Sequence, residues 1–64
     1  MTIKNLKRGE YFTLKPIAQP TERQVFVRGD YDRSEKRYEA IRFDNIAIAR
    51  LLKPDTPVYT DFVF

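Results

Sequence analysis

The residues of this chain best suited to chemistry are its tyrosines and arginines. Tyr11, Tyr31, Tyr38 and Tyr59 occur among Arg8, Arg28, Arg33, Arg37 and Arg42. A β surface carrying both types can stack nucleobases on its rings and neutralise phosphates with its guanidinium groups. Tyr and Arg are also favoured anchors of protein interfaces. The plain alternative is that they pair across strands on a solvated face, which stabilises a sheet without any ligand. Catalysis finds less support. The chain has no His and no Cys, so the commonest general base and the reactive thiol are missing. Its only glycines are Gly9 and Gly29, too few for a glycine-rich phosphate loop. The expectation is a binding module, not an enzyme, with no cofactor and no metal. Its partner surface would combine Tyr11, Arg28, Tyr38, Arg42 and Tyr59.

Two local patterns have ordinary explanations. Arg28-Gly29-Asp30 spells the cell-adhesion tripeptide, but Gly beside Asp is common turn chemistry, and a turn is expected there. Asp30, Asp32 and Ser34 alternate as the first ligands of a calcium loop do. Such a loop also needs Gly at its sixth position and Glu at its twelfth, where this chain has Glu35 and Ile41. Local hydrogen bonds at a solvated hairpin tip account for these residues better.

The net charge is +3, from 12 basic and 9 acidic residues. Residues 1–28 hold six cations against two carboxylates, and the rest of the chain holds six against seven. The basic excess therefore lies in the N-terminal half. It permits a modest attraction to anionic partners, and single-stranded nucleic acid is the first specific expectation. A protein partner or a second copy of the chain is the rival. The two separate by salt, because counterion release makes nucleic-acid binding steeply salt-dependent.

The elements that must position these residues read as β. The stretch Val25 to Phe43 has two runs of β-branched and aromatic residues flanking a tip from Gly29 to Lys36, a hairpin with a long charged connection. Strands are expected over residues 10–14, 24–28 and 37–43, and a last one over 57–64. Pro16 and Pro20 keep residues 15–23 out of any central strand. Residues 45–52 are ambiguous. Asn45 can cap a helix and Ala, Leu and Arg favour one, while the alternation of Ile46, Ile48 and Arg50 with Ala47, Ala49 and Leu51 suits a strand. A short helical turn ended by Pro54 is the reading adopted. Phe12, Phe26, Phe43, Phe62 and Phe64 are the core candidates, each able to bury roughly 150–250 Å². With Phe12, Val25, Val27, Phe62 and Phe64 inward, Tyr11 and Tyr59 turn outward. The apolar C-terminal end, FVF, should be paired into the sheet, since a free apolar edge invites aggregation.

The expected fold is one mostly β domain over residues 1–64. Four to five antiparallel strands would curl toward an SH3-like barrel, with one short helical turn. A chain this short buries only about 60% of its unfolded surface, so its stability is expected to be marginal. The N-terminus lacks an apolar secretory segment and no run approaches a membrane span, so a cytoplasmic location without membrane contact is the default.

The blocks GEYFTLKPI, VRGDYDRSEKRYE, IRFDNI and VYTDFVF carry a resemblance along nearly the whole chain. With their G-x-Y-D-R-S-x-K-x-Y and V-Y-T-D-F patterns, they resemble a group of short uncharacterised bacterial proteins of gut anaerobes and their phages or mobile elements. No activity is established for that group, so it supplies no functional residues. The resemblance implies a cytoplasmic accessory protein linked to horizontally transferred DNA.

Overall fold

The alternating apolar run from Phe26 to Arg42 pairs as the central hairpin of a single sheet. The computed structural model describes residues 1–64. Its strands are β1 (Tyr11–Phe12), β2 (Phe26–Asp32), β3 (Arg37–Arg42) and β4 (Ala49–Leu52). They pair antiparallel in chain order, and the sheet stays open. β2 runs on to Asp32, so the connection shrinks to Arg33–Lys36 instead of the longer loop expected. Asp32 closes that connection. Its Oδ1 accepts from the Ser34 N–H, the Ser34 hydroxyl and the Glu35 N–H, at 2.8–3.1 Å. Lys36 completes the tip in the left-handed region, with φ 55°.

The β2–β3 register slips once, between Arg28 and Tyr31. Gly29 permits the slip, because a Cβ there would stand 2.9 Å from both Glu39 Cβ and Ile41 Cδ1. Only a residue without a side chain lets the strands approach this closely. Arg28-Gly29-Asp30 thus lies inside a strand at a bulge, not at the turn expected of it. The bulge also reverses the alternation, which brings Tyr31 onto the face of Tyr38 with ring centroids 4.7 Å apart.

Register sorts the remaining side chains. Phe12, Phe26, Arg28, Tyr38, Ala40, Arg42, Arg50 and Leu52 share one face, and Tyr11, Val27, Ile41, Ala49 and Leu51 share the other. The core lies on the first face and comprises Ile3, Leu6, Phe12, Phe26, Ala40 and Val58, with Leu14, Tyr38 and Leu52 packed against it. A 3-10 turn at Ile3–Asn5 brings in Ile3. It is closed by Asn5 Oδ1, which accepts from the Thr2 N–H and hydroxyl. The chain ends meet there: Ile3 N–H donates to Thr56 O at 3.0 Å and Val58 N–H to Met1 O at 3.1 Å.

Several expectations change. Residues 45–52 form no helical turn. Asn45 Oδ1 takes the Ala47 N–H, the chain turns at Ile46 and Ala47, and Ala49–Leu52 pair with β3. The segment 57–64 is not a strand either, and contributes only isolated bridges at Pro57 and Tyr59. FVF gains a single long-range backbone bond, from Val63 N–H to Ala18 O. Phe12 and Phe26 are buried as expected, but Phe43 and Phe64 are exposed and Phe62 is half-buried. They fall outside the core because the second face has no covering layer. Phe12 also faces away from Val27, which stands opposite Tyr11. No helix is long and apolar enough to cross a membrane.

Candidate functional site

The five residues expected to form one partner surface divide between different parts of the molecule. Arg28 and Tyr38 come together on the core face. The Arg28 guanidinium carbon sits 4.3 Å from the Tyr38 ring centroid. Its Nη1 donates to Gly29 O at 2.8 Å, while its buried Nε has no protein partner. The ring face that could have stacked on a base is therefore already taken by a cation of the same chain.

Arg42 shares that face but points into an ion pair. Its Nε and Nη2 hold the two Asp44 carboxylate oxygens at 2.9 and 2.7 Å, the fork geometry that suits arginine. Arg42, hydrogen-bonded to Asp44, keeps that carboxyl below its ordinary value of 3.8, and Arg23 adds a weaker pull in the same direction. Arg28 and Arg42 are thus committed to the fold.

Tyr11 lies on the opposite face. Its ring meets Phe43 and Phe64 edge to face, with centroids 5.6 and 6.2 Å away, and those two rings meet each other at 4.9 Å. This exposed aromatic cluster stands beside the Tyr11–Val27–Ile41–Ala49 row that crosses all four strands. Tyr59 is exposed where its backbone exchanges two hydrogen bonds with Thr13. Tyr11 and Tyr59 do turn outward as expected, but neither joins Arg28 and Tyr38.

A groove on the core face brings together residues outside the five expected to form the partner surface. It is about 230 Å³ and lined by Leu14, Lys15, Ile17, Gln24, Phe26 and Arg50. Each reaches it for a local reason. Pro16 breaks the chain after Lys15, which hangs this cation on a loop over the sheet. A second 3-10 turn, Glu22–Gln24, is closed when Gln24 Oε1 accepts from the Thr21 N–H and hydroxyl. That fixes the amide with its oxygen engaged and its NH₂ free to donate. Arg50 arrives from β4, opposite Ala40. The groove therefore offers three donor groups, two of them cationic, over an apolar floor, and no carboxylate. The spacing of Thr21 and Gln24 is a capping signature that could have marked this turn. The shared groove of Lys15 and Arg50 was not legible, because it depends on β4 being a strand.

The other hollow has the opposite character. It is about 280 Å³ and lined by Asp30, Tyr31, Asp32, Glu39 and Leu51. Its carboxylates are engaged within the protein. Asp30 pairs with Arg8 at 3.0 Å, Glu39 accepts the Asp30 N–H, and Asp32 holds the hairpin tip. No cluster of acidic, His or Cys side chains is placed to hold a metal ion. Set beside known proteins, the chain matches no family model, no curated protein and no solved structure.

Proposed function

We propose that this protein is a non-catalytic module that binds an anionic ligand, single-stranded nucleic acid first, in the groove between Lys15 and Arg50. The observation behind this reading is the groove's composition: two cations and a free amide donor over Leu14, Ile17 and Phe26, with no acid among them. Phosphates accept from Lys and Arg, and apolar side chains can lie against a base or sugar. The basic excess in the N-terminal half agrees with such a ligand.

The experiment is fluorescence anisotropy of a labelled single-stranded oligonucleotide across a series of salt concentrations. Two phosphate contacts on a single strand predict a log–log salt slope containing about 1.4 from this pair, at roughly 0.7 each. Lys15→Ala with Arg50→Ala should remove that part of the slope and weaken binding at low salt. Binding that keeps its full slope in the double variant would exclude the groove. Arg28→Ala and Arg42→Ala are poorer probes, because both side chains hold the fold.

A second reading rests on the opposite face. The exposed Tyr11–Phe43–Phe64 cluster is suited to a protein contact, since aromatic anchors dominate such interfaces. Binding through it would depend little on salt.

A further inference from the structure

We infer that the groove between Lys15 and Arg50 selects a nucleobase by its carbonyl, thymine or uracil over adenine, and that Gln24 makes the selection. The inference rests on the nucleic-acid reading of this groove and adds which base enters it. A backbone N–H can only donate, so the Gln24 atom that takes the Thr21 N–H at 2.9 Å is the amide oxygen. The same oxygen accepts from the Thr21 hydroxyl at 3.3 Å, which occupies both of its lone pairs. Only the amide NH₂ remains to meet a ligand. Lys15 and Arg50 carry donors and no acceptor. Every free polar side-chain group lining the groove is therefore a donor.

The amide is set in place before any ligand arrives. Gln24 N–H donates to Thr21 O at 2.9 Å, the next residue, Val25, is fully buried, and Val25 O takes the Phe43 N–H at 3.0 Å. A donor fixed in this way lowers the ordering penalty of binding. The floor of the groove, by contrast, does not choose between bases. Phe26 is only 7% exposed, and its ring is stacked on Phe12 with centroids 5.8 Å apart. Leu14 and Ile17 are aliphatic. Stacking on open aromatic faces is what makes many single-strand sites tolerant of sequence. Here no such face is offered, so the polar edge of the base decides.

Thymine presents its O4 as an acceptor, whereas adenine presents the N6 amino donor beside N7. Uracil carries the same carbonyl as thymine. A fixed NH₂ meets that carbonyl in a hydrogen bond. Adenine reaches the NH₂ through N7 only by bringing its own amino group against a set of donors, and a donor left without a partner is costly. Lys15 and Arg50 attract the phosphates of any strand, and Gln24 supplies the choice of base. The groove, about 230 Å³, is smaller than the roughly 300–1,000 Å³ of a pocket for a whole small-molecule ligand. It suits one unit of a strand.

The test is the ratio of affinities for oligo(dT) and oligo(dA) of equal length, read by anisotropy at low salt. Gln24→Glu keeps an oxygen for the Thr21 cap, since Glu serves at this position of a capping box as Gln does. It replaces the NH₂ by an oxygen that accepts. The added charge weakens binding to both oligonucleotides, so the ratio is the readout. Asn5→Asp makes the same change in the equivalent cap outside the groove, where Asn5 Oδ1 takes the Thr2 N–H and hydroxyl. The wild type and Asn5→Asp should favour oligo(dT) by about two- to tenfold, the worth of one hydrogen bond. Gln24→Glu should lose or reverse that preference. Equal affinities in the wild type, a preference that survives Gln24→Glu, or one that falls equally in Asn5→Asp would overturn selection by Gln24. Those results leave the groove itself standing, because it is judged by Lys15→Ala with Arg50→Ala. Undiminished binding of both oligonucleotides in that double variant, or no binding by the wild type, would remove the groove and the selection together.

Discussion

A methyl group added at Gly29 would meet Glu39 and Ile41 of the neighbouring strand at 2.9 Å. Ile41 Cδ1 can swing aside, but Glu39 cannot retreat cheaply, since its contact is with Cβ, whose position follows from the backbone, and its carboxylate holds the Asp30 N–H at 3.0 Å. The expectation for Gly29→Ala is a loss of about 1–3 kcal/mol, the usual cost of overpacking. In urea denaturation it should appear as a lower midpoint at unchanged slope. An unchanged midpoint would mean that the strands part easily here and that the bulge does not fix Tyr31 against Tyr38. The same residue explains why the placement of Tyr31 against Tyr38 could not be read from the sequence. Tyr and Arg were legible as types, and the outward turn of Tyr11 followed from alternation. The bulge then reverses that alternation within β2, and Arg28 spends its charge on the Tyr38 ring. A single added residue in a strand is enough to send side chains to the wrong face on paper.

Between elements, the connections decide what was legible. The β2–β3 hairpin could be read because β-branched and aromatic residues flank a polar tip, and only its length was overestimated. Asp32 shortens it by gathering three donors onto one carboxylate oxygen. Those bonds, led by the one from the Ser34 hydroxyl, hold the Asp32 carboxyl below its ordinary 3.8. A carboxylate whose value is lowered by folding adds stability above the unfolded value, and that contribution is lost as pH falls through the folded value. Asp32 and Asp44 are both of this kind. The wild-type melting temperature should therefore fall with acidification from about pH 5 to pH 2. Asp32→Asn should flatten part of that fall while lowering the neutral-pH value slightly. An identical acid limb in the variant would show that the tip is equally formed with Asp32 protonated. Residues 45–52 were harder to read, because Ala, Leu and Arg favour a helix while their alternation favours a strand. The open side of β3 settled it, since a ladder partner outweighs a modest propensity. Residues 57–64 misled for the converse reason: a strong β pattern with a partner only at Pro57 and Tyr59 stays irregular.

At the scale of the whole molecule, the sheet has one covered face, and its cover comes from the two ends of the chain. Ile3 and Leu6 supply one part and Val58 the other, and only ten of the 64 residues are buried. A core this small carries little reserve, as the length alone suggested. At roughly 0.05–0.15 kcal/mol per residue, the total stability is on the order of 3–10 kcal/mol. Truncating a fully buried isoleucine costs about 2–5 kcal/mol, and removing one methylene about 0.5–1.5. Ile3→Ala should therefore remove a large share of the total, and Ile3→Val should remain folded with a modestly lower midpoint. The two variants read whether the N-terminal turn belongs to the same cooperative unit as the sheet. If it does, circular dichroism and tyrosine fluorescence should report one transition, displaced in the order wild type, Val, Ala. The coupling runs through backbone as well as side chain, since Ile3 N–H is bonded to Thr56 O and Val58 N–H to Met1 O. An Ile3→Ala variant that melts like the wild type would mean that the turn frays independently of the sheet. The core would then have to be held by Phe12, Phe26 and Val58 without the N-terminal cover.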